Sequence, residues 1–262
     1  MNAKILLINL NKKNILRTLL FLSIFFLKLN TDARIINFAG RNWIVKSGYG
    51  GPGPNYWSDS EQSVWIDGNG WLHLKIREVD GRWYCSEVYT EFSTQYGIHS
   101  FYVIGRLDSL DMNIIAAMFL YKDDLNEVDI EFTKWGSQNP GYNSQYVIQP
   151  WDKSGNMVRF LMELDGINTT HYFDWQPSEI KFKSIHGHYE QPPDSSYIIY
   201  EWEYVGDDNP PEEEELKIHI NFWLYQGESP TNKKEAEIII KDADLPPPKL
   251  QDEKPYKSCG CS

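Results

Sequence analysis

Cysteine is scarce in this sequence: 262 residues include three, Cys85, Cys259 and Cys261. Three cysteines do not make a disulfide framework, and at least one thiol is left over even in an oxidising compartment. The pair in "CGC" near the C-terminus offers two sulfurs without further ligands, so we predict no metal site there. The chain is long enough to bury a sizeable core without disulfides.

Sustained helical periodicity is absent as well. Short segments instead alternate apolar and polar residues, as in "WLHLKIR" (Trp71–Arg77), which follows the turn "DGNG" (Asp67–Gly70). Alternation at every second residue is typical of half-buried strands. Many such segments at close spacing predict one all-β domain, a sandwich or a barrel.

Basic residues are few. Lys and Arg number 25 against 37 Asp and Glu, which gives a formal net charge of −12. Without residues 1–33 the counts are 20 and 36, and the net charge is −16. A surface of this sign repels a phosphate backbone, so we expect no nucleic-acid partner. An uncharged substrate would not be repelled.

Long apolar runs are limited to "TLLFLSIFFLKL" (Thr18–Leu29), which is shorter than the roughly 20 residues of a membrane span. The run follows a basic start and precedes a small residue, Ala33, as in an export signal. We predict a cleaved signal peptide at 1–33, no stable membrane insertion afterwards, and a location outside the cell, in the periplasm or on the cell surface. An uncleaved anchor or a buried N-terminal helix is the alternative. We predict that residues 249–262 form a disordered C-terminal tail.

Three acids alternate in "NEVDIEF", namely Glu127, Asp129 and Glu131. On a strand they share one face, and the apolar residues between them share the other. Like charges this close repel, and burying them costs free energy, so stability does not account for them. A polar outer face, half in solvent, would tolerate them. A Ca²⁺ site is another interpretation, because three carboxylates on one face could hold that ion.

Two facing carboxylic acids are also the minimal machinery for cleaving a glycosidic bond. One attacks or stabilises the anomeric carbon, and the other protonates the leaving oxygen. The Cα atoms of Glu127 and Glu131 would lie roughly 13 Å apart on a strand. Their side chains must therefore lean together to reach the about 5–5.5 Å of the double-displacement mechanism. Asp129, between them, could raise a neighbour's pKa or orient the nucleophile by a hydrogen bond.

These residues also carry a family resemblance. "NEVDIEF" resembles the E-[aliphatic]-D-[aliphatic]-E signature of glycoside hydrolase family 16, which includes β-1,3- and β-1,3-1,4-glucanases, agarases and carrageenases. Three further segments resemble the family in order: "RWYCSEVYTEFSTQYGIHSFYV" (Arg82–Val103), "HYFDWQPSEIKF" (His171–Phe182) and "INFWLYQG" (Ile220–Gly227). The resemblance covers about residues 38–245.

The resemblance implies a β-jelly-roll sandwich of two bent antiparallel sheets, with a substrate cleft across its concave face. It implies that residues 34–248 form a catalytic domain. The implied activity is retaining, endo-acting hydrolysis of a β-linked polysaccharide, with β-1,3- or β-1,3-1,4-glucan as the favoured substrate. The resemblance implies no cofactor, although it leaves open whether a structural Ca²⁺ is bound. We expect a monomer.

The resemblance also implies residue roles. By position Glu127 is the nucleophile, Asp129 its hydrogen-bonding partner and Glu131 the acid/base. The residues implied to contact sugar are Glu87, Asn221 and Trp223.

The chain departs from the family pattern at several positions. Tyr89 stands where glucanases of the family often have Arg, and Leu125 stands where they often have Trp. Thr169 replaces a common His, while His171 lies two residues later on the same strand face. The cysteine that often bridges to the position of Cys85 is missing. These positions contact sugar in the family, so the departures bear on the substrate more than on the chemistry.

Aromatic residues make up 15% of the chain, with ten Trp. Sugar rings pack on aromatic planes, and we predict Trp57, Trp135 and Trp223 as sugar platforms. Packing in the core of a sandwich is the alternative for each of them.

Two further functions fit the same sequence. The same scaffold could bind carbohydrate without catalysis, because a fold alone does not establish activity. The same acids could also transfer the glycosyl group to a sugar acceptor instead of water, and the sequence does not separate a transglycosylase from a hydrolase.

Overall fold

The structure is a computed structural model that describes residues 33–249. Nearly all of the predicted signal peptide and tail, including Cys259 and Cys261, lies outside the described residues, and both stay predictions. Between residues 33 and 249, no helix has the length and apolar character needed to cross a membrane.

Strands dominate the described residues. In chain order they are β1 (Ile35–Phe38), β2 (Arg41–Val45), β3 (Gly48–Gly50), β4 (Asn55–Trp57), β5 (Val64–Ile66), β6 (Leu72–Val79), β7 (Arg82–Tyr84), β8 (Ser86–Thr90), β9 (Gly97–Ile104), β10 (Ile114–Asp123), β11 (Asn126–Phe132), β12 (Ser144–Ile148), β13 (Met157–Phe160), β14 (Asn168–Trp175), β15 (Ile180–His186), β16 (Ile198–Tyr204), β17 (Lys217–Leu224) and β18 (Ala236–Asp244). Short 3₁₀ helices lie at Leu107–Ser109, Ser195–Tyr197, Glu212–Glu214 and Tyr225–Gly227.

The strands form two large sheets. The first has the order β1-β2-β8-β17-β10-β11-β12-β13, and the second has the order β16-β15-β14-β9-β18-β6-β5, with β7 paired to β6. Strands β3 and β4 form a separate hairpin. All of these pairs are antiparallel. The prediction of an all-β sandwich is confirmed.

The core lies between the two sheets, and strand β11 shows how the sequence builds it. Its apolar side chains Val128, Ile130 and Phe132 are each 0% exposed. The ring of Phe132 lies 4.6 Å from that of His171 on β14, in the opposite sheet. The alternation of β11 therefore seals one face into the core and leaves the other face to the three acids.

The β10–β11 hairpin is held by Asp123. Its Oδ1 accepts hydrogen bonds from the backbone N–H groups of Leu125 and Asn126, both at 3.1 Å. A short acid that bonds the backbone two or three residues on is a common way to fix a turn. The turn sets the register in which Glu127 faces Tyr121 and Glu131 faces Ala117.

Truncation of Phe132 tests this core. We expect Phe132→Ala to lower the free energy of unfolding by about 3–5 kcal/mol, because it leaves a cavity at the contact between sheets. The matched control is Phe92→Ala, since Phe92 is 47% exposed and should lose less than about 1 kcal/mol. Urea denaturation measures both, and equal losses would contradict the assignment of Phe132 to the core.

Candidate active site

The three acids of β11 open into a cleft. The cleft consists of two adjoining cavities, a first of about 540 Å³ and a second of about 390 Å³. Glu127, Asp129 and Glu131 line both cavities. The cavities therefore meet at the acids, one on each side of strand β11.

Antiparallel pairing lines up further polar residues with Glu131 across the first sheet. Neighbouring strands place Glu87 opposite Asn221, Asn221 opposite Ala117, and Ala117 opposite Glu131. On the other side Glu131 faces Gln145, which in turn faces Arg159. Five strand spacings make this row roughly 24 Å long, enough for several sugar units.

Hydrogen bonds hold the acids in place. The amide Nε2 of Gln145 donates to Oε2 of Glu131 at 2.5 Å. The carboxyl of Asp129 lies close enough to that of Glu127 for a proton to bond the two. Asp129 is 4% exposed and lies deepest of the trio, since the outer two acids are only partly buried.

Burial sets the protonation of the trio. It raises the pKa of Glu131 from 4.5 to about 7, against hydrogen bonding by Gln145 and the charge of Arg159. It also raises the pKa values of Asp129 and Glu127, and repulsion by Glu131 adds to the effect at both. The hydrogen bond between these two favours the proton on Asp129, because it raises the Asp129 pKa and lowers that of Glu127. Deeper burial, at 4% exposure, also favours the shared proton on Asp129.

Glu87 anchors a second polar group, at the far end of the first cavity. Its Oε2 lies 2.7 Å from Nζ of Lys46, and its Oε1 lies 3.0 Å from Nδ1 of His219. Burial opposes ionisation of Glu87, but the contacts with His219 and Lys46 outweigh it and hold the pKa below its usual range. Both carboxylate oxygens are thus engaged inside the protein, and Lys46 and His219 line the cavity beside them.

Asn221 and Trp223 alternate along β17 and both line the first cavity. Asn221 is 2% exposed, and its Oδ1 has no hydrogen-bond partner within the described part of the chain. A buried carbonyl oxygen without a partner is costly, so it is ready to accept from a ligand. Trp223 is 7% exposed and packs edge-on against Trp135, with ring centroids 6.0 Å apart.

Trp135 reaches the second cavity, as a sugar platform requires. Its backbone has a φ of 49°, in the left-handed region, which a bulky residue rarely adopts. Its indole Nε1 donates to Oε1 of Gln145 at 3.0 Å. The ring therefore both borders the cleft and fixes the residue that holds Glu131.

Trp57 is not brought to the cleft, and the prediction of a sugar platform there is wrong. The ring is 3% exposed and lies in the core. Nζ of Lys46 sits 4.2 Å from its centroid, and its Nε1 donates to the carbonyl of Gly50 at 2.9 Å. The β3–β4 hairpin folds the ring inwards, where it supports Lys46 and leaves no face for a sugar.

The departures from the family pattern also have structural outcomes. Tyr89 lies in the first cavity and stacks on His219, with centroids 5.1 Å apart. His171 is fully buried in the second sheet and is bound to Thr169 and Ser184, so it does not replace the missing cleft histidine. Cys85 is a free, buried thiol.

Sequence reasoning missed seven residues that line the second cavity: Gln145, Val147, Gln149, Trp151, Met157, Arg159 and Tyr225. Trp151 is 59% exposed, and its backbone N–H donates to Oε1 of Gln149 at 2.9 Å. The alternation of "SQYVIQP" already put Gln145 and Gln149 on one face. Only the pairing of β12 with β11 shows that this face is the one with the acids.

Metal binding was an alternative for the acid trio. Over residues 33–249, no group of three or more His, Cys, Asp or Glu side chains is placed to hold a metal ion, and the trio does not form one.

The raised pKa of Glu131 predicts a pH-dependent stability. The folded protein retains a proton that the unfolded chain loses above about pH 4.5, so stability falls as pH rises towards about 7. Glu131→Gln removes this penalty and keeps an acceptor for Gln145. We expect the variant to gain about 1–3 kcal/mol over the wild type at pH 8 relative to pH 5.

Glu87→Gln is the matched control, because the lowered pKa of Glu87 stabilises the fold above its unfolded value. It should lose stability at pH 8, opposite to Glu131→Gln. Urea denaturation at both pH values measures the two effects, and the same sign for both variants would contradict the protonation assigned to the site.

Comparisons of the fold with solved structures find carbohydrate-active proteins. The β-glucanase of Bacillus licheniformis matches with a TM-score of 0.59 and 17% identity, over 82% of this chain and 96% of that one. A prokaryotic β-1,3-1,4-glucanase (lichenase) from a mouse hindgut metagenome matches with a TM-score of 0.57 and 18% identity, over 78% and 92%. An immunostimulatory antigen and pseudo β-1,3-glucanase of Mycobacterium tuberculosis matches with a TM-score of 0.55 and 18% identity, over 76% and 88%.

No protein-family model matches the chain, and no curated protein matches it in sequence. Identities this low show the fold alone. The chain therefore has the β-jelly-roll sandwich of the lichenase-like structures, as the resemblance implied, and its activity must be argued from its own residues.

Proposed function

We propose that the protein is a retaining, endo-acting glycoside hydrolase of the family 16 type that cleaves a β-linked polysaccharide. One observation carries the proposal: the trio of acids on β11 lines both cavities of one cleft, while the other face of the strand seals the core. β-1,3- and β-1,3-1,4-glucans are the first substrates to test, because the fold neighbours include glucanases of both kinds.

In this proposal the two outer acids divide the chemistry. Glu127 attacks the anomeric carbon, while Glu131 gives its proton to the leaving oxygen. The glycosidic bond breaks and a covalent glycosyl–enzyme ester forms. A water molecule then gives a proton to the Glu131 carboxylate while its oxygen bonds to the anomeric carbon. The ester bond to Glu127 breaks, which restores the Glu127 carboxylate and releases the sugar with net retention.

Asp129 is proposed to control the nucleophile. As the protonated partner it donates to Glu127, which favours the ionised form of Glu127 that attack requires. Burial raises the pKa of Glu131 to about 7, which leaves it protonated for part of the population at neutral pH, as an acid requires. The pKa of Glu127 is raised as well, to about 8, so ionisation of this nucleophile depends on the proton held by Asp129.

A non-catalytic carbohydrate-binding protein is the second candidate. A fold neighbour is described as a pseudo β-1,3-glucanase, so this fold occurs without the usual activity. Transglycosylation uses the same acids and differs only in the acceptor. Export from the cytoplasm and a monomeric state, both inferred from the sequence, belong to the same proposal.

A substrate panel tests the activity. The purified domain is incubated with laminarin, lichenan, agarose, carrageenan and xyloglucan, and new reducing ends are measured. We expect Glu127→Gln to lose at least about 10³-fold on any polysaccharide that the wild type cleaves, since the nucleophile is gone. Binding without products in the wild type would contradict the hydrolase and favour the second candidate. NMR of the first anomer formed tests retention.

Glu131→Gln separates acid assistance from nucleophilic attack. We expect a loss of about 10²–10⁴-fold on the polysaccharide. The loss should be much smaller on an aryl glycoside with a good leaving group, which needs little protonation. Hydrolysis rates of the two substrates measure the difference, with Glu127→Gln as the control that loses both. Equal losses in Glu131→Gln would remove it from the acid role.

A further inference from the structure

Arg159 is a cation in the wall of the second cavity that the proposed chemistry does not use. It is exposed on β13, next to Gln145 in the row that runs through Glu131. It is also the only Lys or Arg that lines this cavity.

The guanidinium of Arg159 is held in one orientation. Its Nε donates to Oε1 of Gln145 at 3.0 Å, and its Cζ lies 4.5 Å from the centroid of the Tyr142 ring. Stacking on an aromatic face and a bonded Nε together restrict a side chain that is usually flexible. The two terminal nitrogens make no hydrogen bond within residues 33–249. They are left as a fixed pair of donors.

No carboxylate neutralises Arg159 within ion-pair distance across the described residues. The first cavity differs, because its cation, Lys46, is paired with Glu87 at 2.7 Å. The contrast matters in a chain whose formal net charge is −12, where acids outnumber bases and pairing is easy. A fixed, unpaired guanidinium in a cavity wall matches a planar or tetrahedral anion, which it can bind with two parallel hydrogen bonds.

We propose that Arg159 binds an anionic substituent, a sulfate ester or a carboxylate, on a sugar unit that occupies the second cavity. The inference rests on the proposed cleft and narrows its substrate to a β-linked glycan with acidic groups. Trp151, Met157 and Val147 supply apolar contact in the same cavity, so the sugar ring packs there while its anion meets Arg159.

The negative charge of the protein does not prevent this contact. Repulsion between exposed charges is largely screened beyond about 8–10 Å at physiological ionic strength. Within that distance the substituent meets Arg159 and the three acids of the same cavity, and the raised pKa values of those acids limit their repulsion.

A narrower role for Arg159 is to act on Glu131 alone, whose pKa its charge lowers. In that case the loss of Arg159 would change the affinities for neutral and acidic glycans equally. In the proposed role the loss is confined to acidic glycans, and the two roles are therefore separable by experiment.

The test measures binding, without turnover, in the Glu127→Gln background. The probes are a κ-carrageenan hexasaccharide (sulfate), a β-linked oligoglucuronate (carboxylate) and laminarihexaose (neutral), each titrated by calorimetry. Arg159→Met is compared with Arg159→Lys and with Arg82→Met. Arg82 is the matched control, because it also stacks on a tyrosine, 4.4 Å from the Tyr56 ring, but lines neither cavity.

We expect Arg159→Met to weaken binding of at least one acidic probe about 10- to 100-fold, with a change below about threefold for laminarihexaose. Arg159→Lys should retain only part of the affinity, because an ammonium lacks the paired donors. Arg82→Met should change the affinity neither for the acidic probes nor for laminarihexaose. The acidic probe that responds identifies sulfate or carboxylate as the group bound.

Equal losses for acidic and neutral probes would overturn the proposal, and so would a parent protein that binds neither acidic probe. Urea denaturation of each variant confirms that it is folded. The hydrolase proposal fails separately, if the wild type binds a glycan and never cleaves it, and this result leaves the difference between Arg159 and Arg82 intact.

Discussion

Alternation along β11 is the constraint on which the molecule depends. One strand must bury Val128, Ile130 and Phe132 completely and present three carboxyls on its opposite face. Each apolar side chain contributes about 1.5–3 kcal/mol on burial, and together they anchor a strand whose other face resists burial. Protonation limits the electrostatic cost, because the acids hold protons at pH values where free carboxyls have lost them. The strand therefore stays in register because its apolar half packs well, and the chemistry of its acid half follows from that placement.

The row of residues that runs from Glu87 to Arg159 across the first sheet brings together positions that are far apart in the chain. Glu87, Asn221, Glu131 and Arg159 come from four strands, and antiparallel register alone places them in one line. Ala117 is the small residue in this line, and it keeps the floor of the first cavity open between Asn221 and Glu131. A larger side chain there would fill this part of the cavity and press on Glu131, its direct cross-strand partner.

Much of this was readable from the sequence, and the failures have identifiable causes. Period-two alternation predicted the strands and put the acids on one face of β11, because facing depends only on neighbours in the chain. Asn221 and Trp223 were placed in the cleft by resemblance of their segment, and the structure brings both to the first cavity. The prediction that Trp57 is a sugar platform was wrong, because the local sequence does not show whether a hairpin turns its ring towards the core. Gln145 and Arg159 were invisible because their importance comes from strand order, which no local pattern encodes.

Gln145 has a consequence for how a sugar can sit. Its carbonyl oxygen already accepts from Trp135 and from Arg159, each at 3.0 Å, and an amide oxygen has two lone pairs. Its nitrogen gives one hydrogen to Glu131 and keeps one free. A hydroxyl that meets this amide must therefore point its oxygen, and not its hydrogen, at the wall. The hydroxyl's own proton must then find an acceptor other than Gln145, because this amide offers a ligand only a donor.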